Sequence, residues 1–404
     1  MSKLFHRCDI LLPKPDIDLH KWTVIACDQF TAQPTFWDEV STIVGEAPST
    51  FHLIFPEAWL TQVDEQAQTK KINETMRQYV QDDLFSVVQD SYIYVKRHLK
   101  NGAVRHGIVG AIDLEAYLTE EGSASKLRAT ERIIPARLPA RAEIRKGAVL
   151  ELPHVLLLID DPAQDIIEPL AKETTLEKLY DFPLMQDAGH LEGYRLTGSV
   201  ADTISTKIEA LPIVLVGDGN HSLVAAKIAW ESIRENLSEQ EKQTHPARFA
   251  LVELGNVHDP SLLIEPIHRI VFDANETLIE TLIASSEHVR SGAGEGYPFR
   301  YISGDIEGVF TISGLSIGAA IALLQEFIDE RASANGWEVD YIHGDNELAA
   351  LAAENQSLAI FMPPIEKSTL FTSVLQSGVF PKKSFSMGDG IDKRHYLECK
   401  IIQE

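Results

Sequence analysis

The segment Ile213-Val-Leu-Val-Gly-Asp-Gly-Asn-His-Ser222 constrains this chain more than any other. Four apolar residues in succession read as a strand covered on both faces. Directly after it, Leu223, Ala226, Trp230, Ile233 and Leu237 recur at three- and four-residue steps and form the apolar stripe of a helix. Only a tight turn fits between the two. Gly217 and Gly219 supply it, because a residue without Cβ reaches positive φ and lets a ligand approach the backbone. A strand that passes through a glycine turn into a helix N-terminus is a ready anion site, since the first amides of the helix carry partial positive charge. Asp218, Asn220, His221 and Ser222 project around that point, more polar side chains than capping requires. A plainer reading has Asn220 or Ser222 as the helix cap and His221 as a surface residue.

The rest of the pattern is that of a mixed α+β chain. Tyr92, Tyr94 and Lys96 lead to Asn101-Gly102 and then to Val104 through Ile112, which predicts a hairpin from Ser91 to Leu114 with a two-residue turn. Phe299 to Ile312 predicts a second hairpin, turning at Ser303-Gly304-Asp305. Val155 to Ile159 and Ala250 to Leu254 are short apolar runs and read as further buried strands. Ile317, Ile321, Leu324 and Ile328 predict a helix capped by Ser313 and stopped at Asn335-Gly336, and a weaker periodicity predicts one from Ile72 to Leu84. Ser291 to Gly296 is the most linker-like stretch. The expected architecture is therefore α+β, with mixed sheets, antiparallel hairpins and two lobes: a motif-bearing lobe over residues 1–255 and a second over 256–404.

Composition narrows the function. A chain of 404 residues with 44% apolar and 24% charged content has the proportions of a globular enzyme with ample core. It contains no apolar run of about 18 residues and no apolar leader, so a cytoplasmic protein without a membrane partner is expected. Cys8, Cys27 and Cys399 are odd in number and far apart, which speaks against a disulfide framework and a zinc ribbon. The net charge of −24, from 36 basic and 60 acidic residues, repels polyanions and argues against nucleic acid as a partner. Small anions are a different matter, because a few arginines and backbone amides suffice to hold one.

Candidate cations lie in the proline-broken stretch Leu127 to Lys146, which carries Arg128, Arg132, Arg137, Arg141 and Arg145, and near the C-terminus at Lys382 and Lys383. Phosphoryl transfer would also call for a metal ion and a base. Asp218 is placed to hold Mg²⁺ through oxygen, with Asp160, Asp161, Asp28 and Gln29 as further candidate ligands. His221 could serve as general base or, when protonated, as a phosphate donor. His154, His268 and His343 are scattered, and only folding could bring them together. Cys27 lacks a neighbouring base in the sequence.

Val216-Gly-Asp-Gly-Asn-His-Ser-Leu-Val-Ala-Ala-Lys227 resembles the signature of a broad prokaryotic family known as domain of unknown function 1015. Val24 to Phe30, Glu131-Arg132-Ile133, Glu265 to Arg269, Tyr341 to Gly344, Phe361 to Pro364 and Phe380 to Gly388 fit the same family, so the resemblance spans nearly the whole chain. It raises Glu131 and Arg132 among the basic-stretch candidates, and His343 and Lys383 as second-rank ones, while leaving the reaction open. The Asp-Gly-x-His turn is also similar to the phosphate-binding box of the ParB and sulfiredoxin group, which includes nucleotide-hydrolysing partition proteins and kinases acting on free serine. Here the chain departs at Ser222, where that group usually carries arginine, a bidentate phosphate donor.

The expectation is an enzyme that binds a phosphorylated small molecule or nucleotide at Gly217 to Ser222 and carries out phosphoryl transfer or hydrolysis, with Mg²⁺. In it Asp218 holds metal, His221 moves a proton, and Gly217, Gly219, Asn220, Ser222 and Arg132 bind phosphate. A metal-dependent hydrolase using Asp218, His221 and one of Asp160 or Asp161 is the first alternative. A non-catalytic ligand-binding protein of the same fold is the second.

Overall fold

The apolar runs lie in the middle of a sheet. In the computed structural model, which describes residues 3–31, 33–60, 62–117, 125–133, 138–354, 356–388 and 390–403, the three runs read as buried strands become Leu156–Ile159, Val214–Asp218 and Phe249–Asn256. They are neighbours in a ten-stranded sheet whose order is Leu127–Ala129, Val214–Asp218, Leu156–Ile159, Phe249–Asn256, Val104–Asp113, Phe85–His98, His190–Leu196, Lys178–Pro183. Phe5–His6 and Cys8–Pro13 pair with the Val104–Asp113 and Phe85–His98 strands off this path. Leu156–Ile159 runs parallel to Phe249–Asn256 and antiparallel to Val214–Asp218, so the sheet is mixed. Both faces of the central strands are covered, which is why they alternate so little in polarity.

The chain divides into two compact units, Met1–Ala129 with Ile134–Leu262 and Asp389–Glu404, and Thr130–Ile133 with Leu263–Gly388. The large sheet belongs to the first. Its long hairpin forms between Phe85–His98 and Val104–Asp113, in register from His98 opposite Val104 to Ile93 opposite Val109. Asn101-Gly102 sits at the tip, but the connection runs from Leu99 to Ala103, closed by the Leu99 N–H donating to the Ala103 carbonyl at 2.8 Å. It is longer than the two-residue turn expected from Asn-Gly. The helix after Gly219 spans Asn220–Arg234, and it packs against Leu138–Gly147, which in turn packs against Glu65–Gln81.

The second unit holds a seven-stranded sheet ordered Val289–Ser291, Ile306–Ile312, Tyr297–Ser303, Ser357–Phe361, Ile264–Phe272, Val339–His343, with Phe385–Met387 paired to Ile264–Phe272. The expected hairpin turns as read, Ser303 facing Ile306 across Gly304-Asp305. The linker-like stretch is the loop between Val289–Ser291 and Tyr297–Ser303, inside this unit. The helix Ile317–Asn335 ends at Gly336 as expected, but its cap is Ser316, whose Oγ accepts from the Ala319 amide at 3.2 Å, not Ser313. The bonded amide lies three positions after the cap, and Ser316 has that spacing where Ser313 does not.

Residues 390–403 are tied into the first unit by buried polar bonds. Trp22 is fully buried and its Nε1 donates to the Leu397 carbonyl at 3.0 Å. Arg394 donates through Nε to the Pro153 carbonyl at 3.1 Å, through Nη1 to Glu253 and through Nη2 to Glu398 at 2.6 Å. Glu398 also accepts from the Tyr180 hydroxyl at 2.6 Å. Among the described residues no helix is long and apolar enough to cross a membrane. Replacing Arg394 by leucine strands two buried carboxylates, so Arg394→Leu is expected to cost about 3–5 kcal/mol of stability. A urea titration would read this as a lower midpoint, and adding Glu253→Gln and Glu398→Gln should recover part of the loss.

Candidate functional site

The site begins where the strand Val214–Asp218 ends. Its register against Leu156–Ile159 shifts between Val216 and Asp218, so Gly217 lies at an irregularity where a Cβ would come within 2.7 Å of the Leu158 side chain. Gly219 follows at φ +82, and a Cβ there would stand 3.0 Å from the Cα of Val155, part of a backbone that cannot give way as a side chain can. The left-handed conformation closes the turn and starts the helix at Asn220. Asp218 is engaged through both oxygens: Oδ1 accepts from the Gly219 amide at 2.8 Å and Oδ2 accepts from Lys393 Nζ at 2.9 Å. Lys393 is buried, and its ammonium is the cation that pairs with Asp218 at this corner.

Ser222, on the first turn of the helix, points away from the backbone. Its Oγ is 2.9 Å from Nε2 of His154. Nδ1 of His154 is 2.7 Å from the Tyr396 hydroxyl, and that hydroxyl donates to Cys27 Sγ at 3.2 Å and accepts from the Cys27 amide at 3.3 Å. Tyr396 has one proton to give. Where that proton points to sulfur, His154 Nδ1–H donates to the phenol oxygen and Nε2 accepts from the Ser222 O–H; where it points to Nδ1, the ring hydrogen sits on Nε2 instead. Burial first, and then Cys27 and Asp28, hold the Tyr396 phenol well above its usual pKa, which keeps it a donor at neutral pH. Asp28 Oδ2 lies 3.8 Å from His154 Nε2.

This chain of groups forms one wall of a cavity of about 550 Å³. The other walls are mostly aliphatic, from Ile54, Met76, Leu150, Leu223 and Ala226, and include the Arg145–Glu151 ion pair. A volume of this order suits a small-molecule ligand, for which cavities of roughly 300–1,000 Å³ are usual.

The sequence-predicted residues separate into groups. Gly217, Asp218, Gly219, Asn220, His221 and Ser222 form one corner, with Asn220 buried and His221 half-buried. Arg145 reaches the cavity, whereas Arg128 donates to the Ser125 carbonyl at 3.2 Å. Arg137 and the side chain of Arg141 lie outside the described residues. Glu131, Arg132, His343, Lys382 and Lys383 belong to the second unit, where Arg132 pairs with Glu326 at 3.7 Å and the Lys383 carbonyl accepts from Arg269 at 2.9 Å. His268, also there, bonds Asp345 at 2.9 Å.

Asp160 and Asp161 do not reach the corner. Their strand runs antiparallel to Val214–Asp218, so Leu156 faces Asp218 and the two aspartates follow the opposite end. Asp161 instead accepts from the Asp165 and Ile166 amides at 2.9 Å, as a turn residue does, and Asp160 bonds His258 at 2.7 Å. Each Asp218 oxygen accepts one N–H donor and keeps a second lone pair, the one through which a metal ion would be held. One group among the described residues gathers metal-type ligand atoms within 4.8 Å of one another, Asp181, His190 and Glu192, and its carboxylates already bond Lys178 and Tyr194. Lys393, His154 and Tyr396 are the residues that sequence reasoning did not bring to the site.

Residues 9–355 match the family described as "Protein of unknown function (DUF1015)", and the chain belongs to that family. No curated protein matches it. Among solved structures, a conserved hypothetical protein from Pyrococcus furiosus aligns over 67% of this chain and 88% of its own, at 14% identity and a TM-score of 0.36. A free serine kinase in complex with AMP aligns over 69% of this chain and 88% of its own, at 12% identity and a TM-score of 0.39. SbnI from Staphylococcus aureus, truncated at its C-terminus, covers 69% and 82%, at 11% identity and a TM-score of 0.40. At this distance the likeness carries no activity over to the chain.

The site's backing has a pH signature. His395 is buried, and burial first, then Arg97, Arg105 and Arg394, hold its pKa well below the usual histidine value. It stays neutral in the folded protein, while in the unfolded chain it takes up a proton near pH 6.5. Below that pH the unfolded state binds more protons, so stability falls as pH falls. His106 and His268, lowered chiefly by burial, act in the same direction. Melting temperature is expected to level off above about pH 7 and to drop steadily towards pH 5. His395→Asn should reduce that slope.

Proposed function

We propose that this member of a family without a named activity is a small-molecule enzyme, one that binds a phosphorylated compound or nucleotide at the Gly217–Ser222 turn and catalyses phosphoryl transfer or phosphate-ester hydrolysis. The observation that carries the reading is the Ser222–His154 hydrogen bond of 2.9 Å on the cavity wall, at the first turn of the helix that Gly219 opens. Anions are favoured there by the helix dipole and by the Lys393 ammonium beside Asp218.

The residues take distinct roles in this reading. Phosphate oxygens accept from amides of the first helical turn. Lys393 offsets their charge, and Asp218 positions Lys393. His154, with its lone pair on Nε2, takes the proton of the attacking hydroxyl as that oxygen bonds to phosphorus. The bridging phosphorus–oxygen bond breaks, and the leaving oxygen keeps the electron pair. His154 hands its proton on to that oxygen, and the half-buried His221 stands at the same corner as a donor to a phosphate oxygen. The aliphatic cavity holds the remainder of the ligand and keeps water away from the reacting atoms.

Thermal shifts with ATP, ADP, CTP, phosphoserine and inorganic phosphate, each with and without Mg²⁺, test binding. At least one should raise the melting point, since saturation at a hundredfold excess over Kd is worth about 2.7 kcal/mol. Gly219→Ala and Lys393→Gln should abolish the shift while circular dichroism shows a folded protein. For any compound that turns over, His154→Ala should lower kcat by roughly 10²–10⁴-fold. No shift with any of the five compounds would overturn the proposal.

A further inference from the structure

We infer that Ser222 is itself the attacking hydroxyl, a covalent nucleophile that carries the transferred group. Near the start of a helix, serine ordinarily bonds the local backbone. Here its Oγ reaches a histidine 68 positions away in sequence, at 2.9 Å, inside the range in which nucleophile and base work together. The base is oriented in turn by a third group, Tyr396, at 2.7 Å from the other ring nitrogen. In the proposed tautomer the Tyr396 O–H is directed to Cys27 Sγ, His154 Nδ1–H donates to the phenol oxygen, and Nε2 is the acceptor a serine needs in order to lose its proton. His154 is buried and cannot swing freely, while Ser222 is half-buried and faces the cavity, where a substrate reaches it. The positive end of a fifteen-residue helix lies under the developing charge.

In the first step the Ser222 Oγ–phosphorus bond forms and the bond from phosphorus to the bridging oxygen breaks. The serine proton passes to His154 Nε2 and from there to the leaving oxygen. In the second step water, or an acceptor alcohol, attacks phosphorus and gives its proton to His154. The Oγ–phosphorus bond then breaks and Ser222 recovers the proton. Tyr396 is a positioning residue, since it acts through His154. The phosphorus in this scheme rests on the function proposed above, whereas the reactivity of Ser222 does not, and the two can fail separately.

A fluorophosphonate probe tests the nucleophile without knowledge of the substrate, because serine displaces its fluoride and keeps the phosphonyl group. Intact-mass and peptide mass spectrometry of the full chain should find one adduct, on Ser222, and none in Ser222→Ala. Labelling should fall at least about 100-fold in His154→Asn. In the unaltered protein its rate should rise with pH. Tyr396→Phe, which keeps the ring but not the hydroxyl, should slow labelling and change that pH profile. Absence of a Ser222 adduct on folded protein, or equal labelling of His154→Asn, overturns the inference. An adduct on Ser222 without any thermal shift from a phosphorylated compound upholds the nucleophile and discards the phosphoryl reading. A shift without an adduct does the reverse.

Discussion

Arg394 lies between two buried carboxylates, Glu253 and Glu398, and donates its remaining nitrogen to the Pro153 carbonyl. None of these charges can be hydrated where it stands, and each is tolerated only because the others are in place. That requirement fixes the segment from Lys393 to Tyr396 against the strand ends of the large sheet. The fixed segment then delivers two groups: the Lys393 ammonium to Asp218, and the Tyr396 hydroxyl to His154. An ion cluster with no direct part in the chemistry therefore sets the geometry of the groups proposed to perform it.

The two deliveries do different work. At Asp218 the issue is charge: the buried Lys393 ammonium stands against a carboxylate instead of alone. At His154 the issue is orientation. A phenol kept protonated by burial stands 2.7 Å from one ring nitrogen and a serine hydroxyl 2.9 Å from the other, so the imidazole is held at both ends. In the proposed roles an ammonium and an imidazole from elsewhere in the chain thus join the expected Asp218 and His221.

What could be read in advance was local. The strand, glycine turn and helix from Ile213 to Arg234 announce themselves by periodicity, and the buried runs lie at the sheet centre because only strands covered on both faces lack alternation. The turn at Gly304-Asp305 formed as its dipeptide suggests, while Asn101-Gly102 sits in a longer connection than its composition implies. The site was half legible for the same reason. Its backbone cradle is contiguous, but His154 is 68 positions from Ser222, Tyr396 is 242 from His154 and Lys393 is 175 from Asp218. No periodicity encodes such pairings, because they depend on strand order. Antiparallel pairing, likewise invisible in one sequence, sends Asp160 and Asp161 to the wrong end of their strand.

The separation of Lys393 from Asp218 has a consequence during synthesis. A ribosome makes the glycine turn and its helix long before the lysine, 175 positions downstream, that neutralises the aspartate. Until residues 393–396 are made, Asp218 lacks its Lys393 partner and His154 its Tyr396 partner, so the corner is completed only when that stretch docks.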